Sequence, residues 1–271
     1  GMGFATPALL AAGAAAVVST LAAWGVLMVR NLLGARGMPG VVAHGWSAMV
    51  SLAVVLFSAL ALAATWLGWP APARETVLGL HIVFAPFGFM GLLAFGLSYI
   101  LVPMFALAEA PPDRRQLVSC ALAAGAIVLA ALAAPGLLPD ALERAAPQAP
   151  VVLRLAALLL GAVAVLLHLR MVLAALRTGL RPELGQSFML VRIAWGGLLA
   201  SLVIGAALAL DAPLPRLPLL FGLCVIGFWL MSFLFGILQR ILPFLASMHG
   251  ATGRRARTPS ALTHDGALRV H

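Results

Sequence analysis

The sequence predicts an all-α fold, a polytopic membrane bundle of seven transmembrane helices. Three observations carry that prediction. Hydrophobic residues make up 63% of the 271 and charged residues only 9%, against about 25% charged in soluble domains. Several apolar runs exceed the roughly 18 residues that mark a spanning helix. The runs are continuous rather than alternating. Within hydrocarbon each backbone polar group must find a partner inside its own element or a closed barrel, so continuous runs mean helices. The mean hydropathy of +1.09 agrees.

Taken in order, helix 1 is expected from Phe4 to Val29, an Ala-rich run ended by NLLGARGMPG. It lacks a basic leader and is long, so it reads as a retained helix rather than a cleaved signal. Helix 2 is expected from Val41 to Gly68, leaving through Trp66 and Trp69 as an interfacial aromatic belt. Helix 3 is Leu78 to Phe105, with no acid or basic residue after His81. Helix 4 is Leu117 to Leu138, and PDALERAAPQAP after it is a surface connection. Helix 5 is Val151 to Leu176, helix 6 Ser187 to Leu210 and helix 7 Leu219 to Met248. Residues 1–249 thus form the transmembrane domain. Residues 250–271 read as a disordered basic tail, polar and without apolar period.

The net charge of +9 comes from 17 arginines, no lysine and 8 acids. A basic balance can mean nucleic acid, but these arginines sit in loops between apolar runs, so no nucleic-acid partner is expected. Ten (Arg30, Arg36, Arg114, Arg115, Arg177, Arg181, Arg254, Arg255, Arg257, Arg269) fall on the side of the 1–2, 3–4 and 5–6 loops and the tail. Four (Arg74, Arg144, Arg154, Arg216) fall on the other. The bias places the N-terminus outside and the C-terminus in the cytoplasm.

Internal similarity points to a parallel repeat of three helices, a linker helix and three more. GLSYILVPMF (Gly96 to Phe105) aligns with GILQRILPFL (Gly236 to Leu245), and VSLAV (Val50 to Val54) with ASLVI (Ala200 to Ile204). Gly197, Ser201 and Gly205, four apart, invite a close helix approach, as do Ser232 and Gly236. Pro86, Pro103 and Pro243 each remove a backbone donor and should kink their helices. Cys120 and Cys224 lack any zinc or redox spacing and read as packing residues. Met90 and Met104 read as core filler.

All eight acids lie in loops or at helix ends. Proton pumps and ion-coupled carriers usually hold a carboxylate deep in the bilayer, so that class loses weight. No P-loop, HExxH, CxxCH or GxSxG pattern occurs, which leaves hydrolase and ATPase readings without support. What remains is a set of histidines and arginines toward the cytoplasmic side: His44, His168, Arg170, Arg192, Gln239, Arg240 and His249. At about 1.5 Å of rise per residue, His168 and Arg240 lie about 12 Å from that boundary, Arg192 about 9 Å and His44 about 5 Å. His81 stands apart near the outer end of helix 3. Two readings are open. Imidazoles on separate helices can hold a haem, His44 and His168 foremost as metal ligands, with guanidiniums on the propionates. Otherwise each arginine reaches the headgroups and each histidine bonds a backbone carbonyl. The unequal depth of His44 and His168 argues against opposed ligation. Tyr99, the only tyrosine, reads as a buried hydrogen-bonding residue.

The run His81, Gly88-Phe89, Gly91-Leu92, Gly96, Ser98-Tyr99 and Leu101 to Phe105, with Arg240-Ile-Leu-Pro-Phe-Leu and His249, resembles a group of bacterial membrane proteins. That group looks distantly related to subunit I of haem-copper oxidases and to the haem membrane proteins of the nitric-oxide response. The resemblance implies a bacterial inner (cytoplasmic) membrane protein that binds haem b. Candidate contacts are His44, His81, His168 and His249 as ligands and Arg192 and Arg240 on the propionates. Its surroundings would be the lipid bilayer and respiratory-complex subunits. Val83 stands where the family run carries a second histidine, and no histidine pair for copper is present. The implied role is therefore electron transfer, sensing or haem handling rather than oxygen or nitric-oxide reduction. Two other functions fit the sequence: a small-solute carrier built from the parallel repeat, or a non-catalytic assembly protein of a respiratory complex.

Overall fold

The computed structural model describes residues 6–181 and 184–249. The expected tail, 250–271, lies outside the described residues. Seven helices long and apolar enough to cross a membrane follow one another, which makes this a multi-pass membrane protein. They are α1 (Pro7–Gly34), α2 (Pro39–Trp66), α3 (Arg74–Ala106), α4 (Asp113–Leu132), α5 (Ala149–Thr178), α6 (Gly185–Ala209) and α7, built of Leu217–Gly222, Leu223–Met231 and Ser232–His249. No strand occurs among the described residues. The 4–5 connection carries a short helix at Asp140–Ala145.

Loop contacts sort the helix ends onto two faces. The backbone N–H of Arg181 donates to Ala106 O at 3.2 Å, tying the 5–6 loop to the end of α3. Gly40, opening α2, packs on Gln116, near the start of α4. Together with the end of α1, these ends form the arginine-rich face. Across the bundle, the Thr76 hydroxyl donates to Pro135 O at 2.6 Å, joining the 2–3 and 4–5 connections on the opposite face.

Two helices depart from α geometry, and only partly where proline predicts it. In α3 the segment Phe84–Gly91, which contains Pro86, is π-helical. In α7 the segment Leu223–Met231 is π-helical with no proline in it. Pro103 and Pro243 lie inside helices that continue through them.

The expected close approach of α6 is present. A Cβ on Gly197 would stand 2.7 Å from the backbone carbon of Phe228, so α6 and α7 meet nearly backbone to backbone there. Gly236 meets Ser187 O in the same way, at 2.7 Å. Most of the core is shared by α3, α5, α6 and α7, around Tyr99, Val102, Val172 and Leu198. A second cluster joins α2 to α3 around Leu52, Phe89 and Leu92. Met90 and Met104 are not core filler: both face outward. Cys120 is buried as expected, and its sulfur lies 3.5 Å from the Ser47 hydroxyl.

Candidate functional site

Tyr99 of α3 is 1% exposed and lies against both buried histidines. Its ring meets the His44 ring edge-on at 5.4 Å and the His168 ring at 5.1 Å. Its hydroxyl donates to Ser119 Oγ of α4 at 3.1 Å. That commits the phenol's one proton, so the 3.0 Å contact from His168 Nδ1 is donated by the imidazole. His44 Nδ1 donates to Gly40 O at 2.8 Å, since a carbonyl only accepts. Both neutral imidazoles therefore carry their proton on Nδ1 and a lone pair on Nε2. His44 Nε2 is buried with no hydrogen-bond partner among the described residues. Phe95 stacks flat on His168, with centroids 3.9 Å apart and planes 6° off parallel.

The arrangement brings together His44 and His168, which their expected depths kept apart. The other candidates lie elsewhere. His81 donates from Nδ1 to Ser58 Oγ at 2.9 Å, nearer the opposite face, because Ser58 gives its own proton to Val55 O. Arg240 Nε donates to Ser187 Oγ of α6 at 2.7 Å. Arg192 is exposed and shares a groove between α5 and α6 with Arg177. His249 ends α7, and its side chain lies outside the described part.

By donor chemistry the His44–His168 pair suits a metal or haem iron: each Nδ1–H is held by a second group and each Nε2 lone pair is open. By space it does not suit a porphyrin. Neither of the two cavities described below is lined by either imidazole. Phe95 covers one ring, and Tyr99 lies against both. No group of three or more His, Cys, Asp or Glu converges among the described residues.

A free space lies on the other side of Phe95. A cavity of about 390 Å³ runs between α3, α4, α5, α6 and α7 toward the face opposite the arginines. Its walls are small and aliphatic residues, with the aromatic rings of Phe87, Phe95, Phe221 and Trp229. Phe87 and Trp229 lie 5.4 Å apart, and a Cβ on Gly91 would stand 2.9 Å from Trp229 Cη2. The two π-helical segments thus touch at the cavity wall. Ser201 gives its proton to Leu198 O, and among the described residues Arg154 is the one charged side chain in the lining. A separate groove of about 460 Å³ holds Arg177 and Arg192 at the arginine-rich face. The sequence pattern marked Pro86 and Tyr99 but passed over Ser119 and Trp229. Those are ordinary apolar-run residues whose roles come only from partners on other helices.

Compared with known proteins, the chain matches no family model, no curated protein and no solved structure.

Proposed function

We propose that the protein is a carrier of the bacterial cytoplasmic membrane that takes an apolar small molecule into a cavity walled by α3 of one three-helix repeat, the linker α4 and the three helices of the other. One observation carries this reading: α3 and α7 each break into a π segment, and the two segments meet at the cavity wall. The shift of 140 residues that lays Gly96 on Gly236 carries 84–91 onto 224–231, and the second π segment is Leu223–Met231. A second correspondence supports the repeat. Gly96 packs on α2 near Val41, and Gly236 packs on α6 near Val191. The shift of 150 that lays 50–54 on 200–204 carries Val41 onto Val191. Broken helices at matched places in two repeats are where carriers bind substrate, and π turns gather at functional sites.

The cavity floor would then be the gate. Opening to the arginine-rich face, cytoplasmic by charge bias, requires Phe95 to leave His168 and the Tyr99 bonds to part. A stacked ring pair contributes about 0.5–1.5 kcal/mol and a hydrogen bond about 1 kcal/mol. The closed state is then favoured by a few kcal/mol, a gap that ligand binding can offset.

Accessibility from the two faces tests this. With Cys120 and Cys224 replaced by Ala, Ala126→Cys places a thiol on the cavity wall. The carrier reading expects a membrane-impermeant methanethiosulfonate to label it from either face of a sealed vesicle. Labelling from one face only would contradict carriage.

A haem reading keeps one specific support, the open Nε2 of His44. It requires Phe95 and Tyr99 to move aside, and it expects a Soret band with sharp α and β bands on reduction of purified protein. The carrier reading expects a colourless one.

A further inference from the structure

We infer that the cavity takes an acyl chain capped by an anionic head, with Arg154 as the head-group contact. The inference rests on the cavity being a binding site, as proposed above, and names what that site selects.

Arg154 is the sixth residue of α5, half-buried at the cavity mouth, where its guanidinium sits between the headgroup layer and the apolar slot. No hydrogen bond or ion pair holds it among the described residues. Among the described residues no Asp or Glu lines the cavity. The α5 face below it, Ala157, Leu158, Gly161, Ala164 and Val165, lines the cavity continuously. From Arg154 to Val165 is about 16 Å of helix, the reach of a medium-length alkyl chain. At the far end the Phe95 ring closes the slot and stacks on His168. One end of the space therefore offers a cation and the rest offers only hydrocarbon and aromatic surface. A chain with a carboxylate or phosphate at one end satisfies both. A cationic amphiphile meets repulsion at the mouth, and an uncharged one leaves the guanidinium unpaired.

The head could belong to a free long-chain carboxylate or to an anionic phospholipid of the bilayer. Both offer Arg154 the same charge-assisted hydrogen bonds.

The test uses the full chain in nanodiscs of zwitterionic lipid, at an alkaline pH that keeps carboxylates ionised. Dodecanoate and dodecanol are compared at equal mole fraction in the bilayer, by the rise in thermal unfolding midpoint. Dodecanoate should bind about tenfold more tightly, a difference of about 1.4 kcal/mol. Arg154→Gln should abolish that preference while dodecanol still binds, and Arg154→Lys should retain most of it. Adding phosphatidylglycerol to the disc should compete with dodecanoate if a phospholipid is the natural occupant. If it does not compete, the occupant is a free carboxylate. Equal binding of the two probes to the unaltered chain overturns the role of Arg154 and leaves the cavity reading standing. So does a preference that survives Arg154→Gln. Failure of both probes to bind overturns the cavity reading with it.

Discussion

Tyr99 joins three helices with one side chain: its ring lies against His44 of α2, and its hydroxyl bridges Ser119 of α4 and His168 of α5. Removing that oxygen leaves both partners unpaired in a site closed to water. Polar contacts between membrane helices average below their aqueous value because the unfolded chain also finds partners. Tyr99→Phe should therefore lower stability by about 1–2 kcal/mol, not more. Denaturant titration in detergent checks this, and an unchanged midpoint would mean the triad contributes nothing. The sequence pointed to Tyr99 as a buried hydrogen-bonding residue because a lone phenol in an apolar run has no other way to be satisfied. The meeting of His44 and His168 was not legible. Counting residues from each helix end assumes the ends are flush, and they are not. His168 is about 15 Å along the rise from the end of α5, while His44 is about 8 Å from the start of α2. The two still reach one tyrosine, so α5 extends further than α2 on that face.

At the scale of elements, the helices themselves were legible, because a membrane span announces itself by length and apolarity without reference to its neighbours. Their internal geometry was not. Pro86 marked one π segment, but the segment in α7 has only a glycine, Gly227, to hint at it. Close packing is set by glycine. Gly197 faces the backbone of Phe228, so Gly197→Ala forces α6 from α7 and should cost about 1–3 kcal/mol. Gly196, its neighbour in sequence, has nothing within 4 Å of a would-be Cβ. Gly196→Ala should be neutral or mildly stabilising, since alanine is favoured over glycine in a helix. Comparing the two unfolding midpoints separates packing from propensity. Equal shifts would contradict a backbone-to-backbone contact.

At the scale of the molecule, polarity is arranged in layers. An apolar cavity opens toward one face with Arg154 at its mouth, the Phe95–His168 stack closes it at depth, and the buried imidazoles lie beneath. Among the described residues, Arg30, Arg36, Arg114, Arg115, Arg177 and Arg181 lie toward the other face, against Arg74, Arg144 and Arg216 on this one. Charge counting predicts this asymmetry, since loops sort by arginine content without any knowledge of packing. The cavity is invisible to such counting, because its walls are drawn from five helices and its lining residues are as apolar as those facing lipid.

The most direct measurement of the central claim is the fluorescence of Trp229, in a chain whose other tryptophans are replaced by Phe. Trp229 is 2% exposed, yet it lines the cavity. A brominated alkane dissolved in the bilayer can quench it only by entering that space. Bromododecane should quench Trp229 saturably. That quenching should be lost in Gly161→Leu, whose added side chain starts with its Cβ 3.7 Å from the nearest atom and extends into the cavity. No quenching, or quenching unchanged by Gly161→Leu, would contradict that claim.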